Sequence, residues 1–220
     1  MAKFYSGING PFSGKVGAVV GYLYKGIPVM RGLPDRRKPS TPNELNQQER
    51  FRLMNSFLTP LNSLLNITFA HLAVGMTGRN KAFSYNLKNA VKGFRPDLSI
   101  DFGMVRLSRG DIPGAESPTV TSPSPGLLEF SWTDNSGKGK AIGTDQVFIA
   151  LYDTGTRHWI TEMNLATRAD GNGKLQLKKG TYSQKAMHTY LGFMAASGKD
   201  AADSVYLGTV EVQPYLTVNV

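Results

Sequence analysis

The residues best suited to chemistry are few and scattered. Three histidines, His71, His158 and His188, stand far apart in the 220-residue chain, and no pair has the H-x-x-x-H spacing that places two imidazoles around one metal. They read as ordinary core or strand histidines. There is no cysteine, which excludes disulfides, thiolate nucleophiles and cysteine-ligated zinc. Asp153-Thr154-Gly155-Thr156 copies the Asp-Thr-Gly of aspartic proteases, a chemistry in which two carboxylates share one proton. One chain supplies two only by dimerising, and the flanking apolar runs Val147–Tyr152 and His158–Met163 make the motif a hairpin turn. Asp170-Gly171-Asn172-Gly173 is a row of turn residues without the downstream carboxylate of a calcium loop. Arg109-Gly110-Asp111 reads as a loop after a strand, and Asn66-Ile67-Thr68 falls in a helical stretch. The phosphate-binding patterns G-x-G-x-x-G and Gly-Lys-Ser/Thr are absent, as is G-x-S-x-G. The reading is a non-enzyme with no catalytic, cofactor or metal site.

Charge is the stronger signal. The formal net charge is +9, and it is unevenly placed. Residues 1–95 hold 14 Lys/Arg against 3 Asp/Glu, whereas residues 96–220 hold 11 against 13. A basic first half calls for an acidic partner, either nucleic acid or the acidic face of a neighbouring subunit. The candidate interaction residues are Lys15, Tyr22, Tyr24, Lys25, Arg31, Arg36, Arg37, Lys38, Arg50 and Arg52. Cations in this order can track a phosphate backbone by counterion release, and Tyr22 or Tyr24 can stack on single-stranded bases. The bland alternative is a solvated arm, or one that docks on a neighbour.

Three segments must position these residues. Residues 1–40 form a basic Gly/Pro-rich ribbon and arm. The β-branched and aromatic residues of 14–31 favour strands, and Lys25-Gly26 sits where a hairpin turn belongs. Gly14, Gly17 and Gly21 suit bulges or close backbone approach, and Pro28 predicts an edge strand because it lacks a ladder donor. Leu33 to Ser40 carries a proline near each end and three consecutive cations, as an extended linker does. Residues 41–95 are helical. Thr41-Pro42-Asn43-Glu44 is a helix start, followed by Leu45, Phe51, Met54, Phe57, Leu58 and Leu61 at near-helical spacing. Pro60 kinks this helix or starts another with Thr59 as its cap. A further helix is expected over 80–92, stopped by Gly93. Residues 96–220 alternate short apolar runs with turn residues. Eight strands are expected: 100–107, 119–121, 127–133, 146–152, 158–163, 174–177, 188–195 and 204–212. The fold class is therefore α+β: an N-terminal β-ribbon and helices, then an antiparallel β-sandwich of the fibronectin-III/Ig-like type, with fibronectin-III favoured because the immunoglobulin cysteines are missing.

Several motifs recur together in a known order. They are Gly10-Pro11-Phe12-Ser13-Gly14-Lys15-Val16-Gly17, Ser84-Tyr85-Asn86-Leu87-Lys88-Asn89-Ala90, Leu107-Ser108-Arg109-Gly110, Phe130-Ser131-Trp132-Thr133-Asp134-Asn135-Ser136 and Ser204-Val205-Tyr206-Leu207-Gly208. In this arrangement the chain resembles an uncharacterised family of Bacteroidota proteins, a domain of unknown function. The resemblance implies a bacterial or phage-linked origin and supplies no activity and no site.

The expected function is structural or interactive: self-association through the N-terminal ribbon and arm, as in a virion, filament or shell component. The alternative is sequence-independent nucleic-acid binding by the same cations. The expected partner is another copy or another protein, with no cofactor, small-molecule substrate or membrane. The start shows no secretory h-region and no apolar run reaches membrane-spanning length, which points to a cytoplasmic product or a virion component.

Overall fold

The glycine-rich start folds as a small antiparallel sheet. Its strands are β1 (Ala2–Lys3), β2 (Gly14–Val16), β3 (Val19–Tyr24) and β4 (Ile27–Gly32), in the order β1-β4-β3-β2. This is a computed structural model, and it describes residues 2–3, 12–33, 39–180, 182 and 186–215. Lys25 and Gly26 both take positive φ, 51° and 77°, which matches the right-handed twist of the strands they join. Pro28 does not mark an edge: β4 lies between β1 and β3. The described pairing with β1 reaches only Met30 and Val29, so the missing donor of Pro28 falls outside it. The chain divides into two compact units, Met1–Pro42 and Asn43–Val220.

The second unit opens with α1 (Pro42–Leu58), a 3₁₀ turn at Thr59–Leu61, and α2 (Asn62–Thr68). Thr59 does not cap the second helix. Its Oγ1 donates back to the Asn55 carbonyl at 2.6 Å; Leu58 holds the cap position of the 3₁₀ turn, which contains Pro60, and Leu61 that of α2. Next comes α3 (Gly78–Asn89), which starts earlier than expected because Thr77 Oγ1 accepts the Asn80 N–H at 3.2 Å. It ends before Gly93, and β5 (Val91–Lys92) then pairs with β6 (Ser99–Ile100). Phe51 departs from the expected core: it is 53% exposed and meets Phe83 edge-on at 4.5 Å.

Residues 101–107 are not a strand. Asp101 caps a 3₁₀ turn at Phe102–Met104, accepting the Gly103 N–H at 3.2 Å. The backbone beyond it is claimed by side chains. Asn86 Oδ1 accepts from Arg106 N at 2.8 Å, Ser204 Oγ accepts from Leu107 N at 2.8 Å, and Thr68 Oγ1 donates to Leu107 O at 2.6 Å. A backbone satisfied in this way has no donors left for a ladder.

Seven strands follow: β7 (Glu116–Ser124), β8 (Leu127–Thr133), β9 (Gln146–Asp153), β10 (His158–Glu162), β11 (Asn172–Gln176), β12 (Met187–Met194) and β13 (Val205–Val210). They form one sheet of order β11-β8-β7 and another of order β10-β9-β12-β13, all antiparallel. The chain makes two hairpins, one in each sheet, crosses back for β11, and returns for the last hairpin. That is the fibronectin-III-like sandwich the sequence predicted. One core lies between the sheets, built on Leu128, Phe130, Val147, Ile149, Leu191 and Phe193. A second core lies on the opposite face of the β10-β9-β12-β13 sheet, where Phe148, Ala150 and Tyr190 pack against Met54, Phe57, Leu61 and Phe83 from the helices. The helices therefore form a third layer. Trp159 on β10 ties it down by donating its indole N–H to the Phe57 carbonyl at 2.8 Å, satisfying an acceptor in the last turn of α1.

Candidate interaction surfaces

Cross-strand register sorts the N-terminal sheet into two unlike faces. Lys15, Val20 and Arg31 stand in one row, with Tyr22, Val29, Tyr24 and Ile27 beyond them on the same side. The Arg31 guanidinium sits 5.8 Å from the Tyr22 ring centre, and the Lys25 ammonium lies 5.9 Å from that of Tyr24. The structure thus gathers Lys15, Tyr22, Tyr24 and Arg31 on one face, with Lys25 in the turn at its end. Gly14, Val16, Val19, Gly21, Leu23, Pro28, Met30 and Gly32 occupy the other face, which has no charged side chain among these described residues. Phe12 lies over Gly21 there, so closely that a Cβ at Gly21 would meet its ring at 2.7 Å. Yet Val16 is 61% and Leu23 66% exposed. Val29 is the one buried apolar side chain among the described residues of this unit.

Arg36, Arg37 and Lys38 lie outside the described residues. Arg50 and Arg52 belong to the second unit, on α1. Arg50 donates to the Leu87 carbonyl at 3.4 Å, and Arg52 is exposed. Sequence reasoning missed the apolar face: its period-two alternation runs through Val19, Gly21 and Leu23, but Gly21 interrupts it and the apolar Val20 on the opposite face masks it.

The polar groups of the second unit are mostly engaged in holding the fold. Arg168 is fully buried. Its Nε donates to Asp145 Oδ2 at 3.0 Å, one terminal nitrogen to Asn135 and the other to the Pro113 carbonyl at 3.0 Å, and the guanidinium lies 3.8 Å from the Phe193 ring centre. Trp132 donates its indole N–H to the Arg168 carbonyl at 2.8 Å. Trp132 and Asn135 come from the Phe130–Ser136 motif. Asn86, Ser108 and Ser204 come from three others, and all three are buried and hydrogen-bonded to backbone. Four of the five motifs are thus accounted for by buried polar clamps.

The Asp-Thr-Gly motif is the expected turn, in which Asp153 Oδ1 accepts the Gly155 N–H at 2.8 Å. Asp170 closes a turn by accepting from Thr167 N and Oγ1, each at 2.7 Å. Arg109-Gly110-Asp111 follows irregular backbone rather than a strand. His188 is half-buried, stacks on Phe102 with centroids 3.5 Å apart, and shares a 2.7 Å hydrogen bond between Nδ1 and the Tyr206 hydroxyl. Burial pushes its pKa below the ordinary histidine value, and burial drives the Tyr190 hydroxyl far above the ordinary phenol range. Among the described residues, no three His, Cys, Asp or Glu side chains are grouped to hold a metal, and no helix is long and apolar enough to cross a membrane.

A model of a protein family described as "Family of unknown function (DUF6266)" matches residues 11–208. No curated protein matches the chain. Among solved structures, the fn3 domain of the human collagen alpha-1(XX) chain is similar at 10% identity and a TM-score of 0.36, covering 49% of this chain and 92% of that domain. The fn3 domain of human contactin 1 is similar at 8% identity and a TM-score of 0.34, covering 51% and 88%.

Proposed function

The chain belongs to that family of unknown function, and we propose that it is a non-catalytic structural or interaction protein that self-associates through the apolar face of its N-terminal sheet. The observation that carries this reading is the exposure of Val16 and Leu23 on a face whose described residues carry no charge, in a unit whose described residues bury one apolar side chain. A sheet gains its stability by burying a face against another layer. Two copies of one apolar face are self-complementary, and sheets stack face to face about 10 Å apart. Face-to-face stacking suits this sheet better than strand addition at its edge, because the edge strand β2 carries Lys15, a residue type that discourages edge pairing. A virion, filament or shell subunit fits such a protein.

The opposite face favours a second reading. Lys15 and Arg31 beside Tyr22 and Tyr24 form a basic, aromatic platform of the kind that holds single-stranded nucleic acid without reading sequence.

Light scattering on size-exclusion fractions, with the 260/280 absorbance ratio recorded, tests both. The full chain should elute as a uniform oligomer free of nucleic acid. A chain lacking residues 1–40 should stay folded and lose assembly, and so should the full chain with Val16→Lys and Leu23→Lys. An assembly that survives both changes overturns the first reading. A small protomer that carries nucleic acid, releases it at high salt, and loses it on Lys15→Glu with Arg31→Glu establishes the second.

A further inference from the structure

A different surface, on the helical layer of the second unit, carries its own inference. Two shallow, open grooves lie on the outside of α1. One, of about 460 Å³, runs between α1 and α3 and is lined by Arg50, Phe83, Leu87 and Lys88. The other, of about 560 Å³, is lined by Phe51, Arg52 and Asn55, and Gln47 borders both. Phe51, in the wall of the second groove, is 53% exposed and braced edge-on by Phe83, which lines the first. Arg79 reinforces the brace: its guanidinium lies 5.3 Å from the Phe83 ring centre and donates to Asn62 Oδ1 at 3.2 Å. A rigid, half-exposed aromatic ring beside arginines has the composition of a binding hot spot.

Cations outnumber carboxylates on these two helices. α3 carries no carboxylate, and α1 carries Glu44 in its first turn and Glu49. Glu49 is taken up by Arg95 at 3.0 Å. Among the described residues, no carboxylate lies within 4.0 Å of Arg50, Arg52 or Lys88. We infer that the α1–α3 face docks an acidic amphipathic segment of a partner protein, which places apolar side chains in the grooves beside Phe51 and carboxylates against Arg50, Arg52 and Lys88. A peptide fits better than a nucleic acid because Phe51, Phe83 and Leu87 interrupt the cations. A phosphate backbone is held by a continuous basic track, whereas an amphipathic helix presents apolar anchors at i, i+3, i+4 and i+7 with charges beside them.

The test titrates the full chain with a short fluorescein-labelled helical peptide bearing Leu at i, i+3, i+4 and i+7 and Glu elsewhere, read by anisotropy and by amide chemical shifts. Saturable binding is expected, with shifts at Phe51, Phe83 and Leu87. The same peptide with Lys for Glu should bind at least about tenfold more weakly, a difference of about 1.4 kcal/mol. Lys88→Glu should weaken binding by a similar factor without moving the melting temperature, and Phe51→Ala should do so with only the small fall in melting temperature that loss of its edge contact with Phe83 brings. The inference is overturned by equal affinity for the Lys peptide, by shifts that map elsewhere, by the absence of binding, or by an oligo(dT) that outcompetes the acidic peptide on these residues.

Discussion

Among the described residues, two four-stranded antiparallel sheets have opposite relations to solvent. In β10-β9-β12-β13, the central strand β9 is buried from Val147 to Leu151 without a break, because the second sandwich sheet covers one side and the helices cover the other. In β1-β4-β3-β2, the central strands β3 and β4 each contain one buried residue, Gly21 and Val29. Both sequences are rich in β-branched and aromatic residues, so strand propensity does not separate them. Layering does. A strand covered on both sides reads as a continuous apolar run, whereas β3 alternates small apolar residues with tyrosines. The first sheet has an apolar face on which Phe12 covers Gly21 but Val16 and Leu23 stay exposed, and that is the difference on which the proposed self-association stands.

The sharpest way to test the contrast is to remove one large apolar side chain from each sheet. Phe148→Ala should lower stability by about 3–5 kcal/mol, since the ring is fully buried against the helical layer and over Gly192. Leu23→Ala should change the unfolding free energy of the isolated protomer by no more than about 0.5 kcal/mol. Urea unfolding at low protein concentration measures both. Similar losses would mean that the N-terminal sheet is packed as a core element, and the comparison would collapse.

A second effect of similar kind lies in the sandwich. Arg168 and Asp145 are 0% and 2% exposed, so the pair is held in low dielectric with its remaining donors satisfied by Asn135 and the Pro113 carbonyl. Arg168→Met should destabilise by about 3 kcal/mol, because Asp145 is then left buried without its cation. Arg168→Met combined with Asp145→Leu should recover much of that loss, as apolar replacements of buried pairs often do. A double variant no more stable than the single one would show that the other acceptors, rather than the missing charge, set the penalty.

These cases also show where the sequence was legible. The strand runs after residue 115 were readable from apolar alternation punctuated by turn residues, and Lys25-Gly26 from its turn chemistry. The expected strand over 100–107 failed because Asn86, Ser204 and Thr68, distant in sequence, take its backbone hydrogen bonds. No local pattern announces a ladder replaced by remote side chains. Pro28 misled in the same way: the rule that proline marks an edge is local, and the partner strand β1 begins at Ala2. The cations were legible as residues, but their gathering onto one face, and the separation of Arg50 and Arg52 onto α1, depended on register and on the division into units.

The smallest expected effect is a pH dependence that arises in the doubly covered sheet. His188 lies on β12, where Phe102 stacks on it and Tyr206 shares its Nδ1 hydrogen bond. Burial holds its pKa below the ordinary 6.5. The unfolded chain therefore takes up a proton at this position at a higher pH than the folded chain does. In the window between the two values the unfolded state binds more protons, so stability rises with pH there. The contribution is complete above about 6.5 and is lost as the pH falls through the depressed folded value. Asp101 and Glu116 are held below the ordinary carboxylate range by Lys92 and Lys138, so their contributions fade only at more acidic pH, below ordinary values of 3.8 and 4.5. Melting temperatures between pH 8 and pH 5 isolate the histidine window. The native protein should lose melting temperature across it, and His188→Gln should flatten the slope. A slope that persists in His188→Gln would move the titrating group elsewhere. A flat native profile would mean that His188 gains enough from Tyr206 on protonation to offset its burial, and that the second layer over this face is looser than the stacking on Phe102 implies.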